Sequence, residues 1–139
     1  MIRTLVAAAA LGLCLPGSAA WAQTAEDAFG LWLNPENQSN VELYKCGSSL
    51  CAKITKNPDG QKTDDKNPDP AKRNRPIVGL VIMKDGKKTG PAKWSGSLYN
   101  RENGKTYSGS ITVESKNAID LAGCVAVILC KTTTWTRLK

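Results

Sequence analysis

The chain of 139 residues carries 19 Lys and Arg against 12 Asp and Glu, a formal net charge of +7, and contains no histidine. The lack of histidine excludes Ser-His-Asp arrangements, His-bearing zinc sets and the readiest general base near neutral pH. The positive charge suits anionic partners, but the lysines are scattered, with no basic helix or basic-aromatic motif, so nucleic acid is not an expected partner.

Met1 to Ala22 has one cation at Arg3, the apolar run Leu5 to Leu15, then Pro16-Gly17-Ser18 and Ala20-Trp21-Ala22. Residues 1–22 read as a signal peptide cut after Ala22, which places the remainder in the periplasm or outside the cell. The apolar run is too short to span a bilayer. Leu13 is bulky where lipoprotein processing at Cys14 would want a small residue. Residues 23–139 then form a single domain with room for one core. Four cysteines remain there, Cys46, Cys51, Cys124 and Cys130, an even number suited to disulfides in an oxidising compartment. No paired CxxC knuckles are present, so no metal site is expected.

Ala25 to Phe29 suits a short helical turn, with Glu26 and Asp27 at its N-terminal end. Strand signals follow. Asn40 to Cys46 alternates Val41 and Leu43 against Glu42 and Tyr44, and Leu50 to Thr55 alternates Leu50, Ala52 and Ile54 against Cys51, Lys53 and Thr55. A four-residue loop, Gly47 to Leu50, would set Cys46 opposite Cys51, at a separation that suits a disulfide. Asn57 to Asn74 is rich in turn formers and charges and reads as a long irregular loop. Its acids lack the spacing of a calcium-binding loop.

Ile77 to Met83 is the most apolar segment and reads as a strand buried on both faces, followed by a turn at Asp85-Gly86. Trp94 to Arg101 and Thr106 to Val113 flank Asn103-Gly104, the signature of a two-residue type I′ hairpin. That register sets Trp94 opposite Val113, Gly96 opposite Ile111, Leu98 opposite Gly109 and Asn100 opposite Tyr107. Arg101 then falls on the outer face opposite Thr106. Asn117 to Gly123 gives a further strand with Ile119 and Leu121 on one face. Of the three ways to pair four cysteines, Cys46 with Cys51 and Cys124 with Cys130 is favoured, which requires Val125 to Leu129 to fold back. In the closing strand, Thr132 to Lys139, Trp135 and Arg137 share a face. Arg137 is expected to lie across Trp32 of Gly30-Leu31-Trp32, so that Gly30, Trp32, Trp135 and Arg137 close the structure.

Short strands and turns without a long helix argue an all-β fold: a small antiparallel up-and-down barrel of seven to eight strands after a short N-terminal helical turn. The chain also resembles the bacterial domain-of-unknown-function family 2147. The resemblance is carried by Gly30-Leu-Trp32, Val41 to Cys46, Leu50-Cys51, Asp64 with Asn67 to Pro70, Arg73-x-Arg75-Pro76 through Leu80, Trp94-Ser-Gly96 through Tyr99, Gly104 to Tyr107, and Trp135-Thr-Arg137. Ala52 departs from it, where glycine is common. The Gly-x-Trp and the terminal arginine also resemble the closed end of lipocalin-like, or calycin, barrels, which implies that fold and leaves function open.

The first functional reading is an exported protein that binds a small apolar or amphipathic ligand in a barrel whose mouth is bordered by residues 57–74. Trp94, Leu98, Tyr107, Arg75 and Asn67 are its candidate ligand contacts, with Gly96 and Gly109 leaving space and an Asp64–Arg75 pair anchoring the loop. The alternative is a non-enzymatic envelope interaction or structural protein with a filled barrel and a basic surface that contacts an anionic envelope component. Catalysis comes third. Arg73, Arg75, Asp64 and Tyr107 offer a polar cluster, but no nucleophile and base are recognisable and no cofactor is implied.

Overall fold

Alternating strands joined by short turns leave each backbone edge in need of a partner, and closing the sheet on itself satisfies both edges. In the computed structural model, which describes residues 12–14, 17, 22–126 and 129–139, eight strands close in this way into an antiparallel barrel in sequence order. They are β1 (Gly30–Leu33), β2 (Asn40–Cys46), β3 (Ser49–Lys56), β4 (Val81–Gly90), β5 (Lys93–Asn100), β6 (Lys105–Ser115), β7 (Ala118–Val125) and β8 (Leu129–Arg137). Most of the expected signal peptide lies outside the described residues. A 3-10 turn, Ala25–Ala28, covers one end. The β2–β3, β4–β5 and β6–β7 turns share that end, and the longer connections border the other.

At the covered end the chain termini lock together. The Trp32 indole donates to Ala28 O at 2.8 Å and the Trp94 indole to Ala25 O at 2.6 Å, which fixes the 3-10 turn as a lid. The Arg137 guanidinium lies 4.2 Å from the Trp32 ring centroid. It donates to Phe29 O at 2.9 Å, to Lys116 O at 2.6 Å and to Asp27 O. Gly30 has φ +142°, and any Cβ there would overlap Arg137 Nη1, so the glycine is required by the guanidinium beside it. Above this closure the side chains of Trp32, Leu43, Leu50, Met83, Ile111 and Ile119 are fully buried and form the core of the lower half of the barrel.

Several local expectations need correction. The β2–β3 turn has two residues, Gly47 and Ser48, so Cys46 opposes Ser49 and Cys51 opposes Tyr44. The Cys46–Cys51 bond is therefore diagonal on one face, with Cα atoms 6.0 Å apart. Cys124 and Cys130 oppose each other directly and are also bonded. Residues 77–83 are not one strand. Gly79 adopts φ +92°, which breaks the extended chain, and only Val81 to Met83 join β4, while Ile77 is buried beneath a turn. No turn forms at Asp85-Gly86. Gly86 instead lets β4 bend against β3, since a Cβ there would sit 2.9 Å from Leu50 O, and the strand runs on to Gly90.

The β5–β6 hairpin differs by two residues from its expected register. Trp94 opposes Ile111, Gly96 opposes Gly109, Leu98 opposes Tyr107 and Asn100 opposes Lys105. The loop has four residues, Arg101 to Gly104, closed by Gly104 N donating to Asn100 O at 2.8 Å. A shift of two keeps every side chain on its face, so burial cannot distinguish the registers, and contacts of Arg101 decide between them. Gly104 has φ +72°, and a Cβ there would overlap Lys66 O of the β3–β4 connection. Gly104→Ala should therefore destabilise by about 2 kcal/mol or more through backbone strain plus the clash; an unchanged urea midpoint would show that the connection does not rest on this turn.

Candidate functional site

The upper half of the barrel is hollow: a cavity of about 680 Å³ opens at the end opposite the 3-10 turn. This volume lies in the ordinary range for small-ligand sites, and the filled-barrel alternative holds only for the lower half. Its floor and walls are Val41, Ile54, Ile82, Leu98, Leu121 and Trp135, inward positions selected by alternation in five strands, while in β4 a register shift opposite Ala52 and Lys53 lets Ile82 be buried beside Met83. Its rim is polar. Asn34, Asn37, Asn100, Asn103 and Thr133 face the opening, and the Tyr107 hydroxyl accepts from Asn103 Nδ2 at 2.6 Å, which leaves its own proton free to donate. Glu36 and Lys131 form an ion pair of 2.5 Å at the mouth, where the β1–β2 connection meets β8.

Arg101 organises one wall and was not legible as a site residue from alternation, which put it outside. It is 4 % exposed and reaches Asp59 Oδ2 at 2.7 Å, Asn57 Oδ1 at 2.6 Å, Ser39 Oγ at 3.2 Å and Gln61 Oε1. Burial opposes the ionisation of Asp59, but hydrogen bonds from Arg101 and from Gln61 N hold its carboxyl below the usual range. The guanidinium is thus spent on tying residues 57–61 to the barrel.

The sequence-based candidates divide. Leu98 and Tyr107 line the cavity. Trp94 does not: it lies at the covered end, under Ala25 and 5.6 Å from the Phe29 ring. Asn67 and Arg75 do not line the cavity either; they belong to a cluster around Asp64, whose one member in the cavity lining is Tyr99. Asp64 is fully buried and accepts from Tyr99 Oη at 2.5 Å, Arg75 Nη2 at 2.8 Å and Asn67 Nδ2 at 2.8 Å. The tyrosine of this cluster is Tyr99, not Tyr107. Burial raises the Asp64 carboxyl, and the three donors outweigh it, so its pKa is lowered. Burial and the Asp64 carboxylate together push the Tyr99 phenol up to about 12.

That cluster has a structural cause. The β4–β5 ladder pairs only Lys87 to Gly90 with Lys93 to Ser95, so β5 beyond Gly96 lacks β4 as a neighbour. The 57–80 connection fills the splay. Its arms meet through a Thr63–Pro76 bridge and Asp64 N donating to Arg75 O at 2.9 Å, and Tyr99 joins it to β5.

Gly96 and Gly109 do not supply the empty space. A Cβ on Gly109 would lie 2.8 Å from the Leu98 Cβ, and one on Gly96 3.3 Å from the Gly86 Cα, so both serve close packing. Gly123 does supply it: a Cβ there would meet nothing nearer than the Tyr107 Cβ at 3.8 Å. Its position at the expected end of a strand concealed this role. Among the described residues no cluster of three His, Cys, Asp or Glu side chains could hold a metal ion, and no helix is long and apolar enough to cross a membrane.

Comparison with known proteins gives the same architecture. One solved structure, described as "Protein HP1028 from the human pathogen Helicobacter pylori belongs to the lipocalin family", superposes with a TM-score of 0.72 at 29% identity, over 79% of this chain and 82% of that one. No curated protein matches the chain. Residues 30–137 match the family described as "Uncharacterized protein conserved in bacteria (DUF2147)", and the chain belongs to that family.

Proposed function

We propose that the protein is an exported carrier or sensor that holds one small amphipathic molecule in the open half of its barrel. The cavity is the observation that carries this reading: an apolar cup beneath a ring of amides, hydroxyls and one ion pair. A hydrocarbon portion buried among Ile54, Ile82, Leu98, Leu121 and Trp135 gains the hydrophobic term, while a polar head stays at the rim and keeps its hydrogen bonds. The signal peptide expected at residues 1–22 and the two disulfides support placement in the periplasm or outside the cell.

Native mass spectrometry of protein purified from its own cell envelope should retain a single bound amphiphile. In solution, a nitroxide-labelled single-chain amphiphile should quench Trp135 fluorescence saturably. Gly123→Leu fills the cup without a backbone penalty, so it should weaken that binding by roughly tenfold or more while leaving the unfolding midpoint near wild type. Equal affinity for wild type and Gly123→Leu would remove the cavity as the site.

A further inference from the structure

The rim of the cup has a uniform hydrogen-bond polarity. Four asparagines line the mouth, and each spends its side-chain oxygen on its own turn. Asn34 Oδ1 accepts from Glu36 N at 3.0 Å, Asn37 Oδ1 from Ser39 N at 3.0 Å, Asn100 Oδ1 from Glu102 N at 2.9 Å and Asn103 Oδ1 from Lys105 N at 2.9 Å. Only the amide oxygen can meet a backbone N–H, so these turns fix which way round each amide sits. What each asparagine has left to offer is its amino group. That of Asn103 donates to the Tyr107 hydroxyl, whose own proton is then free. Among the described residues, the amino groups of Asn34, Asn37 and Asn100 donate to no protein atom, although all three residues are half-buried. The mouth therefore presents donors whose partners must come from outside the protein.

The charges around these donors select among acceptors. Both cations in the lining are taken: Arg101 is sealed and tied to Asp59, and Lys131 is paired with Glu36. Glu36, and Glu102 from farther off, raise the Lys131 pKa, and the Glu102 carboxylate has no hydrogen-bond or ion-pair partner among the described residues. On a chain of net charge +7, the mouth thus has no cation to spare and one carboxylate in excess. An anionic head would exchange water for uncharged donors while lying beside acids, which costs free energy. An ammonium head offers only donors and would leave the asparagine amino groups unmatched. An uncharged carbonyl oxygen takes those donors without either cost.

We infer that the rim selects an amphiphile whose head is uncharged and rich in oxygen acceptors, an ester or amide carbonyl, and rejects the free acid of the same chain. This assignment names the head group of the molecule in the proposed carrier and so rests on that reading. With its hydrocarbon in the cup against Leu98, Leu121 and Trp135, the ligand brings its carbonyl to the level of the β1–β2 and β5–β6 connections. There it replaces water on the amino groups of Asn34, Asn37 and Asn100 and on the Tyr107 hydroxyl.

The test uses protein beginning at Gln23, which keeps the 3-10 turn and every barrel strand. It reads the quenching of Trp135 at neutral pH by a nitroxide-labelled fatty acid, by its methyl ester and by the matching alkyltrimethylammonium. Wild type should bind the ester roughly tenfold or more tightly than the acid. Asn34→Asp/Asn37→Asp/Asn100→Asp keeps the oxygen that each turn needs and removes the amino groups, so it should weaken the ester by roughly tenfold or more and tighten the ammonium. A preference that came only from the extra methyl of the ester would survive that change. Tyr107→Phe, which adds no charge, should weaken the ester by roughly threefold. If wild type binds acid and ester equally, or binds the ester no better than the asparagine variant does, the head-group assignment is overturned; the carrier reading still stands where Gly123→Leu weakens every quencher. Absence of quenching by all three probes, or quenching that Gly123→Leu leaves unchanged, sinks the carrier reading and this assignment with it.

Discussion

Arg137→Ala is expected to lower stability by about 3–4 kcal/mol, because it deletes charge-assisted hydrogen bonds to three carbonyls of other elements and a cation–π contact at once. Those acceptors are Asp27 O, Phe29 O and Lys116 O, with Lys139 O just beyond its own strand a fourth at 3.3 Å, and the ring is that of Trp32. The first three belong to the 3-10 turn and its cap and to the β6–β7 turn, so the guanidinium joins the first described element to the last. Arg137→Lys keeps the charge but loses the planar stack and the fork of donors, and should cost about 2 kcal/mol. Lys139→Ala should cost little, since only the backbone of Lys139 is used, through Leu31 N donating to Lys139 O at 2.9 Å. Gly30→Ala should resemble Arg137→Ala, because its methyl displaces the same guanidinium. Urea unfolding of the four variants orders these effects; equal midpoints for wild type, Arg137→Lys and Arg137→Ala would show that barrel closure does not depend on the guanidinium.

The barrel was legible because alternation is a property of the strand itself. Val41 and Leu43 against Glu42 and Tyr44, or Ile119 and Leu121 against Asp120, declare an inside and an outside before any partner is known. Turn geometry was less legible. Asn103-Gly104 signals a two-residue turn, yet Asn100 opposes Lys105, because Arg101 gains more from Asp59, Asn57 and Ser39 than from a place in the ladder. Those partners lie about forty residues or more away in sequence, and no local pattern contains them. The apolar run Ile77 to Met83 misleads for a related reason. Burial of Ile77 and Leu80 comes from a loop folded across a splayed sheet, and composition cannot distinguish that from a strand buried on both faces.

The cavity was the least legible part. Inward positions follow from alternation, but whether they fill the lumen depends on the sum of volumes at each level of the barrel. In the lower half Trp32, Leu43, Leu50 and Met83 belong, with Ile111 and Ile119 of β6 and β7, to one buried cluster. In the upper half Gly123 stands where a large side chain would complete the layer. Trp94, the most conspicuous inward aromatic of its hairpin, belongs to the filled half and caps it through Ala25 O; Leu98, four residues along the same face, belongs to the empty one. One strand therefore contributes to both halves, and the boundary between packing and binding falls inside it.

Asp64 should prove the other energetic centre. Asp64→Ala is expected to cost about 2–4 kcal/mol, because it takes the shared acceptor from Tyr99 Oη, Asn67 Nδ2 and Arg75 Nη2 at once. Arg75 is partly exposed at 41% of its side chain while Asp64 is sealed, so Arg75→Ala should cost less, and the double-mutant cycle should return a coupling of only about 1–2 kcal/mol after solvent screening. Asp64→Asn keeps the shape and removes the charge, and it has a spectroscopic readout. The Tyr99 phenol, pushed up to about 12 by burial and the adjacent carboxylate, should titrate closer to its ordinary value in Asp64→Asn. The pH dependence follows from the directions of the two shifts. Asp64 has a lowered folded pKa, so its contribution is complete above the unfolded value of about 3.9 and is lost as pH falls through the folded one. Tyr99 has a raised one, so its contribution is complete below about 10 and is lost as pH rises through its folded value. Wild type should therefore lose stability on acidification below about pH 4 more steeply than Asp64→Asn. Since the cluster holds residues 62–77 over the splay between β4 and β5, hydrogen exchange should show Asp64 N and Ile77 N, which donate to Arg75 O and Lys62 O, losing protection in Asp64→Asn before the β6–β7 ladder does. Uniform loss of protection across the barrel would mean that the connection is part of the core's cooperative unit rather than a flap fastened to it.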